Sequence, residues 1–226
     1  FHRAAIHPNG RVSTMANCAL VTTLLWDADL VTLYESLLVA RRRPVPAQRA
    51  ALKAQLYRLP VDHVTILRNI LVEQLVPVWS DVMGMPPTAV LDSGWGIHIH
   101  LAVEHEVGEN VSDIAVLYAD LTRRINERVS TVARQLRPSL RVPCLFDRLT
   151  VGAQLARPPG TVNRKCEWEP RQVQVLELNP EVSLCGTEWS RLQVGLGTSS
   201  TMFDDVGVET RDPTEAPVSV PVPARK

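Results

Sequence analysis

The run LLWDADLV, residues 24–31, sets two carboxylates two positions apart inside an otherwise apolar stretch. In a strand, residues i and i+2 point to the same face, so Asp27 and Asp29 stand side by side while Trp26, Ala28 and Leu30 face the other way. Two neighbouring anions repel, and neither is easily buried without a partner. A sheet containing this run must therefore bring positive charge to that face, from an arginine, a lysine or a metal ion. Two readings stay open. One is a structural acid pair satisfied by arginines at a sheet edge. The other is a hard-cation site, because Mg2+ and Mn2+ prefer carboxylate oxygens and leave positions free for phosphate.

The 226 residues suffice for one large domain or two small ones, and 45% hydrophobic content describes a globular chain with a real core. No apolar run approaches the roughly 20 residues needed to span a bilayer. The first twenty residues mix His, Arg, Asn and Ser and do not read as a signal peptide. A chain that starts at Phe1 rather than Met is expected to be a piece of something longer. Basic and acidic residues balance at 24 each, which argues against a nucleic-acid coat protein but leaves room for a local groove that grips nucleic acid. The bases are nearly all Arg; the lysines are Lys53, Lys165 and Lys226. Cys18, Cys144, Cys166 and Cys185 are widely spaced, which does not support a structural zinc site and reads as reduced thiols in a cytoplasmic protein.

Along the chain, residues 1–31 read as one or two strands. A loop and then a helix follow over 41–59, with Pro46 near its first turn. Val64, Leu67, Ile70, Leu71, Leu75 and Val78 recur at helical spacing. Asp62 is the expected N-cap of that helix, and Gly84 with Pro86 and Pro87 its stop. TAVLDSGWGIHIHLAVEHEV reads as two strands around a glycine turn, and 111–137 as the longest helix. Residues 142–150 form a short strand, RPPGTVNRK a loop, and RQVQVLEL, 171–178, an alternating strand. This order predicts an α+β fold with a mixed or antiparallel sheet flanked by helices. The expected division is one domain over 1–211 and a Pro-rich tail or linker over 212–226, which has four prolines in fifteen residues.

Two further constellations stand out. In DSGWGIHIHL, residues 92–101, Gly94 and Gly96 let backbone approach a ligand closely, and His98 and His100 share one strand face. A histidine beside a phosphate can donate from its ring without a fixed charge. In FDRLTVGAQLARPPGTVNRK, residues 146–165, Asp147 ends an apolar strand and a Pro-Pro-Gly turn presents Arg157, Thr161, Asn163 and Lys165. These are phosphate-contacting donors, or the residues of an ordinary surface turn.

D-x-D on an apolar strand, then S-G-x-G-x-H, then an acid upstream of R-x-P-G-T-x-N-x-K together resemble the archaeo-eukaryotic primase superfamily. More narrowly, they resemble the primase-polymerase catalytic domain of phages and plasmids, over roughly residues 1–180. The resemblance implies a primase-polymerase core that makes and extends primers on single-stranded DNA from nucleoside triphosphates. It assigns Asp27, Asp29 and Asp147 to two divalent ions, Mg2+ or Mn2+, and His98, Ser93, Gly94 and Gly96 to the incoming triphosphate. Arg157, Asn163 and Lys165 fall on its other polar positions near nucleotide or template. It further implies cytoplasmic location in a bacterial or archaeal host, no membrane partner, and a helicase domain or protein beyond the Pro-rich tail. This chain departs from the family where Gly96 stands in place of a serine common two before the histidine, and it has no zinc-binding insertion and no helicase motif.

Two rivals remain. His98-Ile99-His100 also fits the paired histidines of rolling-circle nicking endonucleases, with Tyr57 or Tyr118 as nucleophile. The other rival is a replication-initiation DNA-binding domain without catalysis. The Arg41–Arg43 run is either a template-phosphate contact or a solvated loop.

Overall fold

The computed structural model describes residues 2–3, 5–6, 18–38, 45–136, 145–146, 155–166 and 169–197. Asp147, the Arg41–Arg43 run and the Pro-rich segment 212–226 lie outside the described residues. The protein has an α+β fold. Its short strands are β1 (His2–Arg3), β2 (Ala5–Ile6) and β3 (Leu20–Val21), followed by the longer β4 (Thr23–Asp29). Then come helices α1 (Leu30–Leu38), α2 (Pro46–Leu56), α3 (Val61–Ile70) and α4 (Val76–Met83), with a π turn over Leu71–Leu75 between the last two. Strands β5 (Ala89–Asp92) and β6 (Gly96–Val103) precede α5 (His105–Gly108) and the 26-residue α6 (Val111–Leu136). The chain continues through β7 (Leu155–Ala156), β8 (Val162–Asn163), β9 (Arg171–Gln172), β10 (Gln174–Leu178), β11 (Ser183–Leu184) and α7 (Gly186–Gly197).

The central sheet has β6 in its middle. β4 and β5 flank β6 antiparallel, β10 extends β5 antiparallel, and β11 runs parallel to the end of β6. The register sets Trp26 opposite Ile99 and Asp27 opposite His98. Because directly opposed residues share a face, the alternation separates an apolar face from a polar one. The apolar face carries Leu24, Trp26, Ala28, Ile97, Ile99 and Leu101, all fully buried. The long helices lie on it: Trp26 meets Trp79 of α4 edge-on with centroids 5.2 Å apart and Tyr118 of α6 at 5.0 Å. Its indole N–H donates to the Thr122 hydroxyl at 3.0 Å, so even the polar atom of this core residue is satisfied.

The sequence expectations need correction in four places. The strand stops at Asp29 instead of running on through Leu30 and Val31, which begin α1. Asp27 and Asp29 are thus near a strand's end and half-buried. The helix from 61 to 83 caps on Pro60 with no side-chain bond, so Asp62 lies inside the first turn, where its charge complements the helix dipole. The π turn precedes Pro77, whose ring has no N–H and collides with the carbonyl four residues back in a regular helix; a widened turn accommodates it. Finally, RQVQVLEL splits at buried Val173 into β9 and β10, and β10 is a sheet edge with an irregular register between Val175 and Glu177. All five β10 residues are exposed, so its alternation buries nothing. Gly84 ends α4 as expected, in the left-handed conformation at φ 67°. Among the described residues, no helix is long and apolar enough to cross a membrane.

On the far edge of β4, Phe146 bridges Ala28 antiparallel. Buried Asn126 of α6 holds that segment: its Oδ1 accepts from the Leu145 and Phe146 N–H groups at 2.9 and 3.0 Å, and its Nδ2 donates to the Phe146 carbonyl at 3.1 Å. Replacing Asn126 by Leu strands two buried amides and a carbonyl, so Asn126→Leu is expected to cost about 2–4 kcal/mol in a urea melt.

Candidate active site

Asp27 and Asp29 sit on the polar face of β4, each carboxylate 28% exposed. Asp29 has two partners. Its Oδ1 accepts the Val31 N–H at 3.0 Å, two residues on, which is the bond an N-cap makes to the first turn of its helix. Its Oδ2 lies 3.1 Å from the Lys165 ammonium. The positive charge that the acid pair demands is therefore supplied to Asp29 by a lysine more than 130 residues away in sequence.

His98 stands across the strand pair from Asp27, with Nε2 3.6 Å from Oδ1. That distance exceeds a hydrogen bond. Burial pushes the His98 pKa down to about 3, with His100, Lys165 and Arg157 adding in the same direction. The contact is thus a neutral ring beside a carboxylate, not an ion pair. His98 Nδ1 is buried with no hydrogen-bond partner among the described residues. The His100 ring lies 6.0 Å away on the same face.

The turn between β5 and β6 is built by Asp92 and by residues of the Pro-Pro-Gly segment. Asp92 Oδ1 accepts the Gly94 N–H at 2.7 Å while Oδ2 takes Arg68 at 2.8 Å. Gly94 has φ +88°, and a Cβ there would stand 2.9 Å from the Arg171 Cβ and 3.2 Å from that of Asn163. A Cβ on Gly96, which faces Asp29 in the register, would lie 2.3 Å from the Ala28 carbonyl oxygen. The close approach expected of a ligand is thus made, at both glycines, by the protein itself. Ser93 is buried, its N–H donating to the Gly96 carbonyl at 2.9 Å.

Asn163 is fully buried, and its amide is spent on the protein's own backbone. Its Nδ2 donates to the Ser93 carbonyl at 2.6 Å, and its Oδ1 accepts the Lys165 N–H at 3.0 Å. It joins the β5–β6 turn to the bend after β8 that carries Lys165. The expected loop here contains the short pairing of β8 with β9. Arg157 is half-buried and near enough for its charge to act on His98. Arg171 stacks on the buried Trp95 ring at 4.3 Å, and Trp95 in turn meets Tyr57 at 4.5 Å.

Asp27, Asp29, Ser93, Gly94, Gly96, His98, Arg157, Asn163 and Lys165 therefore converge on one end of the sheet. Asp147, expected beside them, lies outside the described residues, although Phe146 before it pairs with Ala28 between the two acids. Sequence reasoning missed Asp92, Arg68, Asn126 and Arg171. Of these, only Asp92 carried a signal, as the leading residue of an Asp-Ser-Gly turn. The two tyrosines considered as nucleophiles are buried. Tyr118 lies on the apolar face and donates to the Leu25 carbonyl at 2.6 Å. Burial first, then the Asp29 and Cys166 charges, push the Tyr57 phenol up to about 12.

Two part-exposed carboxylates on one strand face offer hard oxygen donors, a set that fits Mg2+ or Mn2+. Among the described residues no group of three or more His, Cys, Asp or Glu is placed to hold a metal ion, and the third expected acid is not one of them. Comparison with protein-family models, with curated proteins and with solved structures gave no match.

His98 makes a pH prediction for the metal-free protein. Its folded pKa lies below the ordinary 6.5, so the unfolded chain takes up a proton first as pH falls, and stability drops from about pH 6.5 down towards pH 3. Between pH 7 and pH 5 the wild type is expected to lose about 2 kcal/mol more than His98→Gln, measured by urea denaturation at each pH.

Proposed function

We propose that this chain is a primase-polymerase catalytic domain, a nucleotidyltransferase that builds and extends primers on single-stranded DNA in phage or plasmid replication. The observation that carries the reading is the meeting of three distant segments on one sheet face. Asp27 lies opposite His98, Asp29 opposite Gly96, and Lys165 comes from the third segment to within 3.1 Å of Asp29. Family resemblance requires these segments to converge, and nothing in their sequence separation makes them do so.

In this reading Asp27 and Asp29, with Asp147, hold the divalent ions. Bound there, Mg2+ or Mn2+ supplies positive charge to the attacking and leaving oxygens of an in-line phosphoryl transfer. The chain's own residues do the rest. Lys165 places a cation beside Asp29 and Arg157 another near His98, where a triphosphate would carry its charge. Neutral His98 can donate a ring proton to a phosphate oxygen without adding a charge that would repel the ions. The β5–β6 turn, braced by Asp92 and Asn163, keeps Ser93 and the glycines at a fixed distance from β4. Template binding is local, in keeping with the neutral overall charge. The protein acts in the cytoplasm of a bacterial or archaeal host, with a helicase domain or protein as partner.

Asp27 is the acid to mutate, because Asp29 also caps α1. Purified protein is incubated with single-stranded DNA, labelled nucleotides and Mg2+ or Mn2+, with and without an annealed primer. Metal-dependent products are expected, falling about a thousandfold or more in Asp27→Asn. Equal synthesis by the variant overturns the assignment. DNA cleaved and covalently attached to protein identifies a nicking enzyme instead, and binding without product a non-catalytic domain.

A further inference from the structure

Asp29 presents its two oxygens in different directions. Oδ1 is committed to the Val31 N–H at the start of α1, so Oδ2 is the oxygen left for the site, and Lys165 occupies it. Lys165 is anchored more firmly at its backbone than at its ammonium. Its backbone N–H is fixed to the fully buried Asn163, which is itself bonded to the Ser93 carbonyl. Its side chain is a third exposed, and the ammonium sits on a flexible four-carbon stem.

We infer that Lys165 is a tethered counter-ion: it neutralises Asp29 while no metal is bound, and it competes with a divalent ion for the same carboxylate oxygen. The inference rests on the metal-binding role proposed for Asp27 and Asp29. A part-exposed ion pair between a lysine and a carboxylate is weak enough to open. The anchored backbone keeps the released ammonium within the site, beside His98 and Arg157, where the phosphates of an incoming nucleotide would receive it. Lys165 would thus hold the acid in its cap geometry before metal arrives, at the expense of metal affinity. This makes it a positioning residue for Asp29.

The test measures Mn2+ binding to the nucleotide-free protein by loss of the free-ion electron paramagnetic resonance signal. Wild type, Lys165→Met, Lys165→Arg and Asp27→Asn are compared, with far-UV circular dichroism confirming the fold of each. Lys165→Gln provides a second neutral variant should Lys165→Met not fold. The neutral variant is expected to bind Mn2+ about three- to tenfold more tightly than wild type, because a fixed positive charge near the ion is gone. Lys165→Arg should bind like wild type. Unchanged or weaker binding in the neutral variant, with binding still lost in Asp27→Asn, overturns the lysine's role and leaves the metal site standing. Absence of saturable binding in every variant overturns the metal site and the inference together.

Discussion

The pairing of β4 with β6 governs this molecule. One antiparallel register sets Trp26 against Ile99 on the helix-covered face and Asp27 against His98 on the other. A slip of one residue would turn both acids into the tryptophan-lined core, where unpaired carboxylates are costly, and Trp26 out of it. The core and the candidate site are therefore specified by the same hydrogen-bonded ladder. Gly96 lets that ladder close at its end, because any larger residue would press on the Ala28 carbonyl.

Two buried asparagines extend this frame to segments outside the main ladder. Asn126, from α6, satisfies the backbone of Leu145 and Phe146, which lie against the edge of β4 away from β6. Asn163 ties the β5–β6 turn to the backbone of Lys165. Both spend their amides on backbone groups, so each is fully worth its burial only when the segment it holds is in place. The site is in this sense a product of polar satisfaction in the interior.

Much of the frame was legible in the sequence. Helical spacing from Val64 to Val78 and across 111–136, and alternation from Ile97 to Val103, report periodicities that burial imposes on each element. Where α1 begins was not legible, since LLWDADLV continues apolar through the point at which the chain turns. That end is set by the Asp29 cap on the Val31 N–H together with a partner distant in sequence, the Trp95 carbonyl, which accepts the Leu30 N–H. The exposure of β10 was hidden for a similar reason, because an alternating strand looks the same whether or not anything covers it. Asn163 shows a further limit. A polar residue in a Pro-Gly loop reads as a donor to ligand, and only the tertiary structure reveals that it points inward. The same ambiguity covers Gly94 and Gly96, whose smallness serves chain–chain contact.

The two aspartates look interchangeable in D-x-D, yet the structure gives them unequal freedom to vary. Asp27 stands across the strand pair from a neutral imidazole, 3.6 Å from its Nε2. Asp29 is tied to the Val31 N–H, a bond whose geometry suits the short side chains of Asp, Asn or Ser and not the longer Glu. Evolutionary drift from aspartate to glutamate is accordingly closed at residue 29. Any lineage that lost the chemistry would still be held near Asp, Asn or Ser at residue 29 by the helix it starts.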